Sequence, residues 1–217
     1  MNAVAKIRGK IRGEVFDYQV LQDALAGYRK PRDRITRLLA EGSIIRIKKG
    51  LYCFGEAFRR EPVSREHLAN LIYGPSYVSL DYALSHRGLI PERVETVTSV
   101  TTRRSRVFDT PFGTFSYCVL SGRRYAVSVI LETAGKTTFL VASAEKALAD
   151  KVWTDKRFIG RRVSHYHTYL SDDLRIDRDA LRGLDRSLLQ VIATAYDSVK
   201  IDNLLRYLNR LEEQSDA

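Results

Sequence analysis

Lys30-Pro31-Arg32-Asp33-Arg34-Ile35-Thr36-Arg37-Leu38-Leu39-Ala40-Glu41-Gly42-Ser43-Ile44-Ile45-Arg46-Ile47-Lys48-Lys49-Gly50-Leu51-Tyr52-Cys53-Phe54 decides the expected fold. Pro31 suits the first turn of a helix, where its missing N–H costs nothing. Ile35, Leu38 and Leu39 recur at helical spacing and supply a buried stripe. Gly42 ends the helix. Ile44–Ile47 and Leu51–Phe54 then form two short β-rich runs around a Lys48-Lys49-Gly50 turn, which predicts a hairpin.

Upstream, Val4, Ile7 and Ile11 predict a short amphipathic helix over 3–12. Asp17 can cap a second helix, with Val20, Leu21, Ala24 and Leu25 inward and Gly27 as its stop. Three helices and a hairpin within the first 60 residues is the order of a winged helix-turn-helix domain. On the wheel of the third helix, Arg34 and Arg37 lie opposite the aliphatic stripe and Thr36 lies at its flank. Such a helix suits a major groove, because arginine can bind guanine O6 and N7 in a bidentate manner. Arg29, Lys30 and Arg32 cluster where the helix begins, and Lys48 and Lys49 sit at the hairpin tip. The first three suit backbone phosphates, and the hairpin pair suits phosphates or the neighbouring minor groove. The candidate DNA-binding set is therefore Arg29, Lys30, Arg32, Arg34, Thr36, Arg37, Lys48 and Lys49. A basic outward face is also what a merely solvated helix shows.

Charge agrees with this placement. The 217-residue chain carries a net +10, yet residues 1–65 hold 15 Lys/Arg against 7 Asp/Glu, while residues 155–217 hold 11 of each. A concentrated positive field favours a polyanion, since each neutralised phosphate releases counterions. With 44% apolar and 29% charged residues, a packed core is expected and disorder is not.

From Gly55 to Pro62 a mostly polar connector leads to a second domain, expected over 61–217. Ser64 can cap a helix from Arg65 to Tyr73, which Gly74 and Pro75 break. Tyr77–Arg87 is expected to be helical, with Tyr77, Leu80 and Leu84 as its core face. Strands are expected near 94–101, 105–109, 113–120, 126–132 and 137–141, giving an antiparallel-rich sheet. Ser143 can cap a helix reaching Thr154, and Glu145, Lys146 and Asp150 on it are expected to form exposed ion pairs. In the helical tail, Leu188, Leu189, Ile192 and Ala195 form one apolar stripe, and Ile201, Leu204, Leu205, Leu208 and Leu211 another. The expected class is α+β: an N-terminal winged helix-turn-helix domain, then a mixed α/β domain with a helical tail.

Catalytic patterns are absent from the sequence. It contains no Walker or Rossmann phosphate loop, no Gly-x-Ser-x-Gly elbow and no spaced nuclease acid–lysine motif. His165-x-His167, if on a strand, would put two imidazoles on one face where Asp172 or Asp173 would complete a zinc set; the sequence fixes no third ligand there. No cofactor or metal is expected, and the chain is expected not to be an enzyme. Cys53 and Cys118 fit no metal or redox spacing and are expected to be reduced. Lys6, Arg8, Lys10 and Arg12 interrupt any leader-like apolar run, and no stretch approaches the ~18 apolar residues of a span. A cytoplasmic protein with no membrane partner is expected.

Stretches in three regions of the chain resemble the AbiEi-type antitoxins. Asp17–Leu21, Lys30–Ile35 and Leu38–Tyr52 are similar to that family's N-terminal winged helix. Tyr77–Leu84 with Gly88–Glu92, and then Ala142–Asp150, are similar to stretches of its second domain. The resemblance covers about residues 14–155. It implies an antitoxin of a type IV toxin–antitoxin, or abortive-infection, system that represses its own operon by binding promoter inverted repeats. It also implies that the C-terminal domain counters a nucleotidyltransferase-like toxin, with or without direct contact; Glu145, Lys146 and Asp150 are the candidate residues for that role. The competing readings are a freestanding winged-helix regulator with a ligand- or protein-binding second domain, and an adaptor that docks an acidic partner.

Overall fold

The computed structural model describes residues 3–120 and 122–213. The chain is α+β and divides into two compact units. One runs to Ser64 and includes Thr110–Phe112; the other comprises Arg65–Asp109 and the residues from Gly113 onward.

The first unit begins with α1 (Ala3–Lys10), whose Ala3, Val4 and Ile7 are buried. Then come β1 (Val15–Asp17), α2 (Tyr18–Ala24), α3 (Pro31–Ala40), β2 (Ile44–Lys48) and β3 (Leu51–Phe54). Asp17 caps α2 as expected, its carboxylate accepting from the Val20 N–H at 2.8 Å. The three strands form an antiparallel sheet in the order β1-β3-β2. The three-residue β1 is an element the sequence reading did not expect. It pairs Phe16 with Tyr52 and packs its ring 4.9 Å from that of Phe54. Ile7, Leu21, Leu25, Ile35, Leu38 and Ile44 complete the core.

Gly55 fixes the exit from this unit. Its N–H donates to the Ser43 carbonyl at 2.9 Å, and a Cβ there would lie 1.9 Å from the Gly42 carbonyl oxygen. Only glycine permits so close a backbone crossing.

The second unit is built on a six-stranded mixed sheet in the order β6-β7-β5-β4-β9-β8. Its elements are α4 (Arg65–Ile72), β4 (Ser76–Val78), α5 (Leu80–His86), β5 (Val97–Thr101), β6 (Arg106–Thr110), β7 (Gly113–Val119), α6 (Arg123–Ala126), β8 (Val129–Ala134), β9 (Thr137–Ala142) and α7 (Ala144–Thr154). The helical tail follows: α8 (His165–His167), a π-helical turn over Thr168–Asp173, α9 (Arg178–Arg182), α10 (Arg186–Tyr196) and α11 (Val199–Glu213). The sheet is less antiparallel than expected, because β5 runs parallel to β7 and β4 parallel to β9.

Two expected elements are corrected. Tyr77–Arg87 is not one helix: Tyr77 and Val78 pair in the sheet with Val100 and Ser99, and α5 begins only at Leu80, which enters it at φ +58°. The strand expected from 126 begins only at Val129, since Arg123–Ala126 makes a helical turn. In the tail, α11 buries Ile201, Leu204, Leu205, Leu208 and Leu211 as expected, whereas α10 buries Leu189, Ile192, Ala193 and Tyr196, a stripe rotated from the expected one. No helix among the described residues is long and apolar enough to cross a membrane.

Candidate functional site

The basic surface of the first unit starts from how α3 is held. Pro31 occupies its first turn, Ile35 and Leu38 anchor it in the core, and the Glu41 N–H closes its end on the Arg37 carbonyl. Gly42 then adopts φ +66°, a conformation that glycine takes without penalty. The side chains of Arg32, Thr36 and Arg37 are left exposed. Arg29, Lys30, Arg34 and Arg37 come together with Tyr28 and Asp33 around an open groove of about 580 Å³. Four cations thus face one carboxylate. Among the described residues Asp33 pairs only with Lys30, at 3.9 Å, with both side chains largely exposed, so the pair neutralises little. Arg29, Arg32, Arg37 and Lys49 make no ion pair among the described residues.

Arg32, Thr36, Lys48 and Lys49 do not line this groove. Thr36 is exposed, but its hydroxyl donates to the Arg32 carbonyl at 3.2 Å, within its own helix. Arg34 is less free than the wheel suggested. It is half-buried, with its guanidinium 5.3 Å from the centre of the Tyr28 ring and its Nε unpartnered. Lys48 and Lys49 sit at the β2–β3 turn, which Gly50 closes at φ +87°. Tyr28 is the contributor that sequence reasoning missed. It carries the Lys6 ammonium 5.0 Å from its ring as well as Arg34, and so it orients the basic face. An aromatic directly before Arg29-Lys30 was the available signal.

In the second unit, Lys146 and Asp150 correct the expectation of exposed ion pairs: both are 0% exposed. Ser143 caps α7 through the Lys146 N–H, as expected. One turn apart on that helix, Lys146 Nζ and Asp150 Oδ1 meet at 2.5 Å. Asp150 Oδ2 accepts from Tyr77 Oη at 2.9 Å and from Ser79 Oγ at 2.6 Å. Tyr196 Oη donates to Oδ1 and accepts from Lys146 Nζ at 2.8 Å. Both carboxylate oxygens are thereby satisfied, as a buried charge requires. Burial lowers the Lys146 pKa, with Asp150 opposing the shift. Burial, followed by the Asp150 charge, pushes the Tyr77 and Tyr196 phenols well above their ordinary range. The third candidate, Glu145, is also buried, and its carboxylate accepts from the Asp185 N–H at 3.0 Å. All three residues are engaged inside the fold. Of their partners, Tyr77 and Ser79 share one face of an extended segment, whereas nothing in the sequence pointed to Tyr196.

His165 and His167 lie in a short helix rather than a strand. Two residues there are separated by about 200° around the axis, so the rings diverge. His167 Nδ1 instead meets Tyr207 Oη at 3.3 Å. No group of three or more His, Cys, Asp or Glu that could hold a metal occurs among the described residues. Cys53 and Cys118 are free thiols, and burial raises the Cys53 pKa to about 11.

No protein-family model matches this chain, and no curated protein matches it.

Proposed function

We propose that the first unit is a winged-helix DNA-binding domain and that the chain is a transcriptional repressor that is not an enzyme. The observation that carries this reading is the groove at the start of α3, where Arg29, Lys30, Arg34 and Arg37 face a single carboxylate. Arg37 is the base reader best supported, being exposed and without an ion pair among the described residues. Arg34 stands beside it on the Tyr28 ring, while Arg29, Lys30 and Arg32 hold backbone phosphates. Thr36 adds a flank contact, and Lys48 and Lys49 extend the phosphate contacts.

The resemblance to the AbiEi-type antitoxins supplies the biological setting of this proposal. In it the chain represses its own operon from promoter inverted repeats, in the cytoplasm, and opposes a nucleotidyltransferase-like toxin. The burial of Glu145, Lys146 and Asp150 argues against those side chains touching a toxin; their part is to hold the second unit in shape. The test is retardation of a duplex carrying the chain's own promoter. We expect binding that weakens steeply with salt. Arg37→Ala should relax preference at one base position by about 1–3 kcal/mol, while Lys48→Ala with Lys49→Ala should weaken all duplexes alike. Wild-type binding that is insensitive to all three substitutions would place the interface elsewhere. Co-expression with an adjacent toxin gene, scored for growth, tests the antitoxin part separately.

A further inference from the structure

The second unit carries a basic loop that the charge totals conceal. Residues 155–217 are balanced overall, yet from Lys156 to Ser171 the chain has four Lys/Arg and no Asp or Glu. Those four, Lys156, Arg157, Arg161 and Arg162, are all exposed. Lys156, Arg161 and Arg162 make no ion pair among the described residues. Arg157 reaches Asp155 only at 3.5 Å and is 91% exposed.

The backbone beneath these cations is tied down. The Gly160 carbonyl accepts from Tyr166 Oη at 3.3 Å and from Asn203 Nδ2 at 3.1 Å. The same Asn203 amide donates to the Arg161 carbonyl at 3.2 Å, and Lys200 Nζ donates to the Asp155 carbonyl at 2.9 Å. Gly160 has φ +61°, and a Cβ there would lie 2.4 Å from Tyr166 Oη. Phe158 stacks on Tyr169 with ring centres 3.9 Å apart. Buried Tyr166 and Asn203 and half-buried Lys200 thus fix the loop, while three of its four cations make no ion pair among the described residues and Arg157 makes only the long contact to Asp155. A preorganised cationic loop loses little entropy when it binds.

Its surroundings narrow the ligand. Ile159, 62% exposed, stands between the two pairs of cations. Beside it lies a hollow of about 610 Å³ edged by Arg157, Phe158, Arg161, His165, Thr168 and Asp173. That volume takes one or two nucleotides and is too small for a duplex. Alternating cations and apolar surface suit a strand whose phosphates and base faces are both accessible, which a duplex does not offer. Asp173 gives an acceptor for ribose hydroxyl or base amino groups.

We propose that this loop and hollow bind single-stranded nucleic acid through its nucleoside phosphate units, with phosphates on Arg157, Arg161 and Arg162 and a base against Ile159. The site belongs to the second unit, and its proposal does not rest on the reading of the first. The test uses the full chain with Arg29, Lys30, Arg32, Arg34, Arg37, Lys48 and Lys49 replaced by alanine, so that the first unit contributes little. A dye-labelled oligouridine of about twelve nucleotides is titrated by anisotropy. Arg157→Ala, Arg161→Ala and Arg162→Ala together should weaken binding at least tenfold and reduce the salt slope by about 2, at roughly 0.7 per single-strand phosphate contact. Ile159→Ala should weaken it several-fold with the salt slope unchanged, a split that diffuse charge attraction would not give. Unchanged circular dichroism and Trp153 fluorescence would establish that the variants are folded. Competition by uridine monophosphate separates the sources. Displacement at equal nucleotide concentration assigns a free nucleotide, and a strong advantage of the oligomer assigns a strand; either supports the site. No oligouridine binding, binding unaffected by the triple substitution, or Ile159-dependent capture by anionic phospholipid vesicles without oligouridine binding would overturn it.

Discussion

Asp150→Asn is the most informative single change in the second unit. Wild-type Asp150 collects four donors at two oxygens: Lys146 and Tyr196 at Oδ1, Tyr77 and Ser79 at Oδ2. An asparagine amide keeps one acceptor oxygen and places an NH2 at the other position. Whichever way it turns, donors face donors, and the Lys146 ammonium loses its counter-charge at a site with no exposure. Breaking one partner of a buried pair costs about 3–5 kcal/mol, a large part of the ~5–15 kcal/mol that holds a typical domain. Trp153, the sole tryptophan, reports locally, since it lies on α7 with its ring 5.9 Å from that of Tyr196. In urea unfolding followed by its fluorescence, with a slope near ~2–3 kcal/mol per molar, the midpoint should fall by roughly 1–2 M. Lys146→Met should also destabilise, and adding it to Asp150→Asn should cost less than the two single losses combined, because the stranded cation is removed. A midpoint shift below a few tenths molar for Asp150→Asn, or strict additivity in the double variant, would refute this account of the network.

Other expectations test other parts. Gly55→Ala puts a methyl group against the Gly42 backbone, which cannot move aside as a side chain can, and should cost about 1–3 kcal/mol or more in a thermal melt. Gly9→Ala, in α1 with nothing within 4 Å, should be neutral or slightly stabilising in the same assay. Burial holds the Tyr77, Tyr117, Tyr166, Tyr169 and Tyr196 phenols above their ordinary value of about 10. The unfolded chain releases those protons near pH 10 while the folded chain keeps them. The stability they contribute is therefore complete below pH 10 and is lost above it, at about 1.4 kcal/mol per pH unit for each withheld phenol. Lys146, with its lowered pKa, opposes this trend only below its own unfolded value. Phenolate absorbance should accordingly rise in step with unfolding; smooth titration of all tyrosines in a protein that stays folded would contradict their burial.

What the sequence made legible follows punctuation and periodicity. Pro31, Gly42 and Gly50 mark the ends of α3 and the β2–β3 turn, and Ile35 and Leu38 give a clean stripe, so these elements form where expected. The strand β1 escaped notice because three residues show no alternation and Asp17 already had a role as a cap. Tyr77, Leu80 and Leu84 have helical spacing by coincidence. Tyr77 belongs to a strand, where its hydroxyl reaches an aspartate 73 positions away. No local pattern encodes that pairing. The same limit hid the depth of Lys146 and Asp150, since a Lys/Asp pair four apart reads as a solvated helix face until its neighbours are known. Of the candidate DNA residues, four share a groove, but the half-burial of Arg34 depended on Tyr28 lying beside it in space.

These distances change how loss-of-function data on the second unit should be read. Ala142–Asp150 draws attention because it resembles a stretch of a known family, and a substitution scan would find Lys146 and Asp150 intolerant. That result is expected whether or not the unit contacts anything, since both side chains are fully enclosed and each satisfies the other. Arg157, Arg161, Arg162 and Ile159 have the opposite character. They are exposed, the backbone around them is held by Tyr166, Asn203 and Lys200, and among the described residues their one ion pair is the long, exposed contact of Arg157 to Asp155. Replacing them should leave the unfolding free energy within about 0.5 kcal/mol of wild type. An activity lost with any of these four while the Trp153 unfolding curve stays in place therefore points to a contact, whereas an activity lost with Asp150 points only to the fold.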